Sequence, residues 1–219
     1  MMLPMVSVVG KSGAGKTFVV ARLVTELKSR GYRVATVKHS VGGFDLDSEG
    51  KDSWHHAQAG SDAVSITSPN RFALIRSVDH DATLAEIPRL IGLDFDIVVA
   101  EGFSQDRGPK IEVHRKELGP DMICNPEELM AVATDGGLEI DLPKYAPDDA
   151  AGLADLVERE LLSRQDQGMI ALYVNGEAVP LNSFASRVLS STILGLVSPL
   201  KGVDVPASID ISIRRKVQE

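Results

Sequence analysis

Alternating apolar and polar segments along the chain predict a succession of strands and helices. The β-branched run 5–9 predicts a buried strand, and a glycine-rich segment follows it directly. Residues 16–30 place their apolar side chains on one helical face, and residues 33–38 again favour a strand. A strand, loop, helix and strand in this order predict a parallel strand pair with a right-handed crossover.

The same alternation continues along the chain. Further strand patterns are the short apolar runs 62–67, 72–77, 95–100, 110–114 and 129–134. Further helix patterns are 51–60, 84–91 and 148–163. Strands that alternate with helices predict a three-layer α/β domain with a mainly parallel sheet, of the P-loop NTPase type once the loop at 10–17 is considered.

The pattern changes after a polar segment at 165–168, which we interpret as a linker. Short strands at 169–174 and 179–180 flank Asn175-Gly176, a strong two-residue hairpin signal. Asn182 or Ser183 could cap a helix that runs to about Gly195, and residues 208–214 alternate as a half-buried strand does. These elements predict a small α+β (ββαβ) module. The predicted domains are 1–165, which would bind nucleotide, and 168–219, for dimerisation or partner docking, because so small a module needs support from a neighbour.

Composition narrows the possible partners and location. The 31 acidic and 23 basic residues give a net charge of -8, which argues against non-specific binding to nucleic acid or to an anionic membrane surface. The single cysteine, Cys124, cannot form an internal disulfide. The first residues lack the basic segment of a signal peptide, and no apolar run approaches the ~20 residues of a membrane helix. We therefore expect a cytoplasmic protein with no nucleic-acid or membrane partner.

Residues 10–17 carry the strongest chemical signal, because they fit the phosphate-loop pattern G-x-x-x-x-G-K-[ST] at every specified position. Glycines allow positive φ and bring backbone N–H groups close to phosphate oxygens. Lys16 is expected to reach the β- and γ-phosphates, and the Thr17 hydroxyl to coordinate Mg²⁺. The predicted nucleotide-binding residues are Gly10, Lys11, Ser12, Gly13, Ala14, Gly15, Lys16, Thr17 and Phe18. A lysine at position 11 resembles the signature lysine of dimerising P-loop ATPases, and a solvated loop lysine is the alternative.

An acid and a glycine, Glu101 and Gly102, follow the apolar strand 95–100. In P-loop proteins, an acid at the carboxyl end of a neighbouring strand orients Mg²⁺, either directly or through water. Lys16 and Glu101 are therefore the predicted catalytic residues, and Thr17 and Glu101 are the predicted metal-binding residues.

Two other strands end in residues whose chemistry is less specific. Lys110, Glu112 and His114 alternate with apolar residues and are expected to share an exposed strand face, where Lys110 or Arg115 could serve a second anion. Asp135 closes another strand, where an acid could bind a purine edge. The Asn-Lys that precedes this acid in guanine-specific P-loop proteins is missing.

Several motifs together resemble the molybdopterin-guanine dinucleotide biosynthesis protein B (MobB) family over about residues 4–163. They are the phosphate loop, Gly31-Tyr32-Arg33-Val34, Val37-Lys38-His39, Phe44-Asp45, Gly50-Lys51-Asp52-Ser53-Trp54, Ala59-Gly60 and Glu101-Gly102-Phe103. Members of that family are described as GTP-binding P-loop proteins with weak GTPase activity. They assist a partner nucleotidyltransferase that attaches GMP to molybdopterin.

The resemblance implies GTP and Mg²⁺ as ligands of this chain. It also implies a second polar region near the phosphates, formed by Lys38, Asp45, Lys51 and Asp52. Phe18 stands where a second threonine is common in the family, which removes a hydroxyl that could contact the α-phosphate.

We therefore expect a GTP-binding accessory protein of molybdenum cofactor biosynthesis that assists conversion of molybdopterin to its guanine dinucleotide form. A P-loop small-molecule kinase and a nucleotide-gated adaptor without significant catalysis are the alternatives. The expected partners are GTP, molybdopterin or the molybdenum cofactor, and a nucleotidyltransferase. The small C-terminal module and Lys11 favour a homodimer.

Overall fold

The computed structural model describes residues 3–43, 49–163, 170–175, 177–203, 206 and 208–213. Contacts between Cα atoms divide the chain into two compact units, with the main division between residues 167 and 168. The first unit contains the strands β1 Met5–Val9, β2 Val34–Lys38, β3 Ala63–Ser68, β4 Arg71–Arg76, β5 Ile97–Glu101, β6 Lys110–His114, β7 Leu129–Thr134 and β8 Lys144–Tyr145. Its helices are α1 Lys16–Ser29, α2 Asp52–Gln58, α3 Ile87–Ile91 and α4 Ala150–Val157, and α4 continues as a π-helical turn, Glu158–Leu162.

Six of these strands form one sheet in the order β2-β5-β1-β6-β7-β8, and every neighbouring pair is parallel. The predicted α/β architecture with a mainly parallel sheet is therefore confirmed. Because the strands are parallel, all their carboxyl ends lie along one edge of the sheet. The segments that follow β1, β2, β5, β6 and β7 are consequently neighbours at that edge, which is where ligands bind in open α/β sheets.

Helix α1 covers one face of the sheet with an apolar stripe. Val19, Val20, Leu23 and Leu27 are buried on this helix and pack against strand residues such as Val8. Arg30 joins the end of α1 to α4, because its guanidinium donates to Asp155 at 2.6 Å and to the residue after α4, Glu158, at 2.7 Å. This packing holds α1, and with it the loop before α1, in a fixed position on the sheet.

The predicted exposed face of β6 is wrong, because Lys110, Glu112 and His114 are all buried. Residues 115–128 cover this face and satisfy its polar groups. The Glu112 carboxylate accepts the N–H groups of Ile123 and Cys124 at 2.7 and 3.1 Å, and His114 Nε2 donates to the Gly119 carbonyl at 3.0 Å. Polar groups can be buried when hydrogen bonds compensate their lost hydration.

Strands β3 and β4 form a separate antiparallel hairpin. Ile66, Phe72 and Leu74 are exposed large apolar residues on this hairpin. Ile66 and Leu74 lie on opposite faces, since Ile66 pairs with Ala73 and Leu74 pairs with Ser65 in the register. The hairpin therefore presents apolar side chains on both faces.

The C-terminal unit contains a second hairpin, β9 Leu172–Val174 and β10 Glu177–Val179, and the helix α5 Ser183–Val197. The Asn182 side chain caps α5 by accepting the Ala185 N–H at 2.8 Å, as the sequence predicts. The predicted linker at 165–168 and Gly176 of the predicted turn lie outside the described residues. None of the described helices is both long and apolar enough to span a membrane.

The predicted final strand of this unit is wrong over the residues that the structure describes. Residues 208–213 adopt no regular structure, and Arg214 lies outside the described residues. Ile211 and Ile213 are exposed there. An alternating apolar pattern favours a strand only where a neighbouring strand can pair with its N–H and C=O groups. Within the described part of this unit, β9 and β10 pair only with each other, and no third strand joins them.

Candidate functional site

The loop between β1 and α1 lies against the end of β6 because of its glycines. Gly10 adopts φ +141°, and a Cβ atom there would collide with the carbonyl oxygen of Val113. Gly15 is the N-cap of α1 with φ +93°, a backbone conformation that side chains rarely permit. The first N–H groups of α1 therefore point toward the carboxyl edge of the sheet with no helical partner, which is the geometry that binds phosphate.

Lys16 folds back over this loop. Its Nζ donates hydrogen bonds to the carbonyls of Gly10 at 2.8 Å and Lys11 at 2.9 Å. The ammonium group is thus held above the loop by two neutral acceptors. Phosphate oxygens are charged acceptors and form stronger bonds with an ammonium group than carbonyls do.

The acid at the end of β5 meets the residue after Lys16. The Thr17 hydroxyl lies 2.9 and 3.0 Å from the two carboxylate oxygens of Glu101, and Lys38 Nζ lies 3.3 Å from Glu101 Oε1. The sheet explains this meeting, since Glu101 lies in register with both Val8 of β1 and Lys38 of β2. Mg²⁺ prefers oxygen ligands, and here a hydroxyl and a carboxylate lie in contact with each other. The residues present therefore fit this ion.

The residues of the predicted second polar region are only partly brought together. Lys38 contacts Glu101, as described above. Lys51 is the N-cap of α2 and Asp52 is its first residue, and both are exposed. Among the described residues, neither forms a hydrogen bond or ion pair with the phosphate loop. Asp45 lies outside the described residues, so this region stays a prediction.

An open cavity of about 750 Å³ lies next to the phosphate loop, at the carboxyl ends of β7 and β8. Phe18, Arg115, Asp135, Lys144 and Tyr145 are among the residues that line it. It is large enough to hold part of a nucleotide, because small-molecule sites commonly measure ~300–1,000 Å³. The cavity and the phosphate loop therefore lie next to each other along the carboxyl edge of the sheet.

Asp135 is held firmly in this cavity. One carboxylate oxygen accepts the Lys116 N–H at 2.9 Å, and the other accepts Arg115 Nη1 at 3.1 Å. These two bonds, the backbone one first, lower the pKa of the Asp135 carboxyl below its ordinary value. Asp135 is therefore an ionised acceptor at neutral pH.

Sequence reasoning named Arg115 only as a candidate for a second anion, and it missed that this guanidinium joins the cavity to the phosphate loop. Arg115 follows β6 and bridges Ala14 of the loop to Asp135, with Nε 3.2 Å from the Ala14 carbonyl. The signal that could have found it is topological: β6 and β7 were both predicted, and parallel strands place residues 115 and 135 at the same edge. Lys11 donates to the Leu118 carbonyl of its own chain at 3.0 Å. In the part of the chain that the structure describes, no three metal-ligating side chains cluster together.

Comparison with known proteins supplies independent findings. A sequence model of "Molybdopterin guanine dinucleotide synthesis protein B" (MobB) matches residues 5–135. The molybdopterin-guanine dinucleotide biosynthesis adapter protein of Haemophilus influenzae is 34% identical over 169 residues, which cover 73% of this chain and 90% of the relative. The protein of the same name from Escherichia coli is 30% identical over 161 residues, 71% of this chain and 92% of its own length. The crystal structure of Bacillus subtilis MobB superposes with a TM-score of 0.59 and 25% identity, covering 76% of this chain and 99% of that structure.

Proposed function

This chain belongs to the MobB family, and from that premise we propose that it is a GTP-binding accessory protein of molybdenum cofactor biosynthesis. In this role it assists a partner nucleotidyltransferase that converts molybdopterin to its guanine dinucleotide form. Relatives that are 34% and 30% identical carry the name adapter protein of this biosynthesis, and they are matched over nine tenths of their length. Its cytoplasmic location remains a prediction from the sequence.

The meeting of Lys16, Thr17 and Glu101 at one edge of the sheet carries the nucleotide part of the proposal. The backbone N–H groups of Gly13 to Lys16 and the start of α1 would surround the β-phosphate, and Lys16 would exchange its two carbonyl partners for β- and γ-phosphate oxygens. Thr17 and Glu101 would hold Mg²⁺, which neutralises charge on the same phosphates. This arrangement supports slow GTP hydrolysis as well as binding.

Asp135 supports guanine as the base, because an ionised carboxylate can accept hydrogen bonds from both guanine N1–H and N2–H₂. Adenine has an acceptor at N1 and no amino group at C2, so it cannot form this pair of bonds. We expect Asp135→Asn to reduce the preference for GTP over ATP by about tenfold or more, since a bond to a charged group contributes ~1.5–3 kcal/mol. Competition of GTP and ATP against a fluorescent nucleotide measures this ratio. An unchanged ratio in a variant that still binds GTP would exclude Asp135 as the base-reading residue.

The family name of the relatives favours an adaptor over a small-molecule kinase, which was the other expectation from the phosphate loop. We expect the γ-phosphate of GTP to leave slowly as inorganic phosphate. A rapid transfer of labelled γ-phosphate to a small acceptor, measured by chromatography, would instead support the kinase.

The C-terminal unit supports the proposal of a homodimer. No described residue of this unit is buried, and α5 exposes the large apolar residues Phe184, Val188 and Leu196. A unit of this size rarely folds stably without additional burial, and a second copy offers the same apolar helix in return. We therefore propose that residues 168–219 form a separate dimerisation module. Analytical ultracentrifugation should show a dimer for the parent and a monomer for Phe184→Glu with Leu196→Glu; a monomeric parent would contradict the proposal.

A further inference from the structure

Arg115 occupies a position between the two halves of the proposed nucleotide site. It directly follows β6, which pairs with β1 so that Glu112 is level with Val9, the last residue before the phosphate loop. The side chain of Arg115 thus starts beside the loop, on the side opposite to Glu101. The strand β7 and Asp135 lie on its other side.

Two of the three guanidinium nitrogens of Arg115 hold the protein itself. Nε donates to the Ala14 carbonyl at 3.2 Å, and Nη1 donates to Asp135 Oδ2 at 3.1 Å. Because these bonds already fix the plane of the guanidinium, the Arg115 side chain loses little conformational entropy when a ligand binds to it.

The third nitrogen, Nη2, is free for a ligand. Among the residues that the structure describes, it forms no hydrogen bond. It lies 3.3 Å from the position that a Cβ atom on Gly15 would occupy, and Gly15 is the N-cap of α1. Nη2 is therefore directed to the turn where the phosphate loop enters the helix, and Arg115 also lines the cavity beside that turn.

Besides the backbone N–H groups that begin α1, the donor side chains other than Arg115 that line the cavity are Thr134, Lys144 and Tyr145, on or at the end of β7 and β8. Phe18, which follows Thr17, has no hydroxyl, and its ring faces the guanidinium of Arg22 at 5.5 Å. Asp135 is an acceptor, and Lys144 lies on the last strand of the sheet. A nucleotide whose β- and γ-phosphates lie in the loop, and whose base lies near Asp135, must place its α-phosphate between them. Arg115 lies between those two points.

We propose that Arg115 is a nucleotide-binding residue whose Nη2 donates a hydrogen bond to a non-bridging oxygen of the α-phosphate. The same side chain bonds both Ala14 and Asp135 and so fixes the distance between them. The phosphate end and the base end of the site are thereby held as far apart as the phosphates and the base of one nucleotide. This inference rests on the proposed nucleotide function and names a residue for that same site.

The experiment compares the parent protein with Arg115→Gln, Arg115→Lys and the control Arg33→Gln, whose guanidinium pairs with Asp96 at the amino end of β5, away from the phosphate loop. Each full-length protein is titrated by calorimetry with Mg²⁺ and GTP, and then with each of the two diastereomers of guanosine 5′-O-(1-thiotriphosphate). These diastereomers differ only in which non-bridging α-oxygen is replaced by sulfur. Thermal unfolding checks that every variant is folded, and Arg115→Lys retains the charge if Arg115→Gln fails this check.

We expect Arg115→Gln to weaken GTP binding by about tenfold or more, the size expected for a charge-assisted hydrogen bond. The parent should prefer one diastereomer, and the ratio of the two dissociation constants should move toward one by about threefold or more in Arg115→Gln and in Arg115→Lys. Arg33→Gln should retain the affinity and the ratio of the parent.

The diastereomer ratio separates ligand contact from a purely structural role. If Arg115 only held Ala14 and Asp135, its loss would lower the affinity for both diastereomers equally, and this result would overturn the inference. GTP affinity that is unchanged in folded Arg115 variants would also overturn it and leave the proposed function intact. A parent that binds no guanine nucleotide would overturn the proposed function, and the inference with it.

Discussion

Lys16→Ala is expected to weaken GTP binding by about 100-fold or more while leaving the fold intact. Among the residues that the structure describes, Lys16 Nζ bonds only the carbonyls of Gly10 and Lys11 and forms no ion pair, so the fold should tolerate loss of the ammonium group. In the complex, the same group would face the most highly charged part of the nucleotide. Removing one member of a desolvated charge pair costs ~2–5 kcal/mol, and each 1.4 kcal/mol corresponds to about tenfold in affinity.

Isothermal titration calorimetry with GTP and Mg²⁺ measures this loss. Lys28→Ala is the matched control, because Lys28 lies in the last turn of the same helix. The separation of 12 positions between the two lysines corresponds to about 18 Å along the helix. The control should bind GTP within about twofold of the parent, as expected for a surface charge beyond the ~10 Å screening length at 0.1 M salt. Parent-like GTP binding by Lys16→Ala would disprove the phosphate-loop assignment.

The second large effect is expected for Glu101→Gln, in the rate of GTP hydrolysis. Glutamine retains the size of glutamate and can still accept the hydrogen bond of Thr17, but it loses the charge that faces Thr17 and Lys38. A neutral amide is a much poorer Mg²⁺ ligand than a carboxylate. We expect single-turnover phosphate release to fall by about 10- to 100-fold, which is the cost typical of a changed metal environment.

The same variant should behave differently without magnesium. In the presence of EDTA, its affinity for GTP should equal that of the parent or exceed it, because Glu101 then only adds negative charge near the γ-phosphate. Glu127→Gln, which replaces an exposed acid before the amino end of β7 and so at the opposite edge of the sheet, is the control and should hydrolyse GTP like the parent. If Glu101→Gln retained full hydrolysis and full magnesium dependence, another residue would have to hold the ion.

The sequence was sufficient to predict the parallel sheet and the phosphate loop, because both depend on local patterns. The β-branched run before Gly10 and the apolar stripe Val19, Val20, Leu23 and Leu27 each specify an element within a few residues. The parallel order of the strands then places Glu101 beside Thr17 without further information. Local signals and topology were thus enough to predict that Lys16, Thr17 and Glu101 lie together at the carboxyl edge of the sheet.

The features that were missed depend on distant parts of the chain. Lys110, Glu112 and His114 alternate as an exposed face does, and only the return of residues 115–128 across the sheet buries them. The segment 208–213 has the pattern of a strand, but it lacks a pairing partner among the described residues. The position of Arg115 between Ala14 and Asp135 results from the spacing of three strands, which no sequence motif encodes.

The central claim is that this chain uses bound GTP to assist the formation of the molybdopterin guanine dinucleotide. The most direct measurement is a reconstituted reaction of molybdopterin, molybdate, GTP and the partner nucleotidyltransferase, with the dinucleotide product quantified by chromatography. Addition of the parent protein should raise the yield or rate of product at limiting GTP, and Lys16→Ala should fail to do so. An equal stimulation by the parent and by Lys16→Ala, or no stimulation by the parent, would contradict the claim.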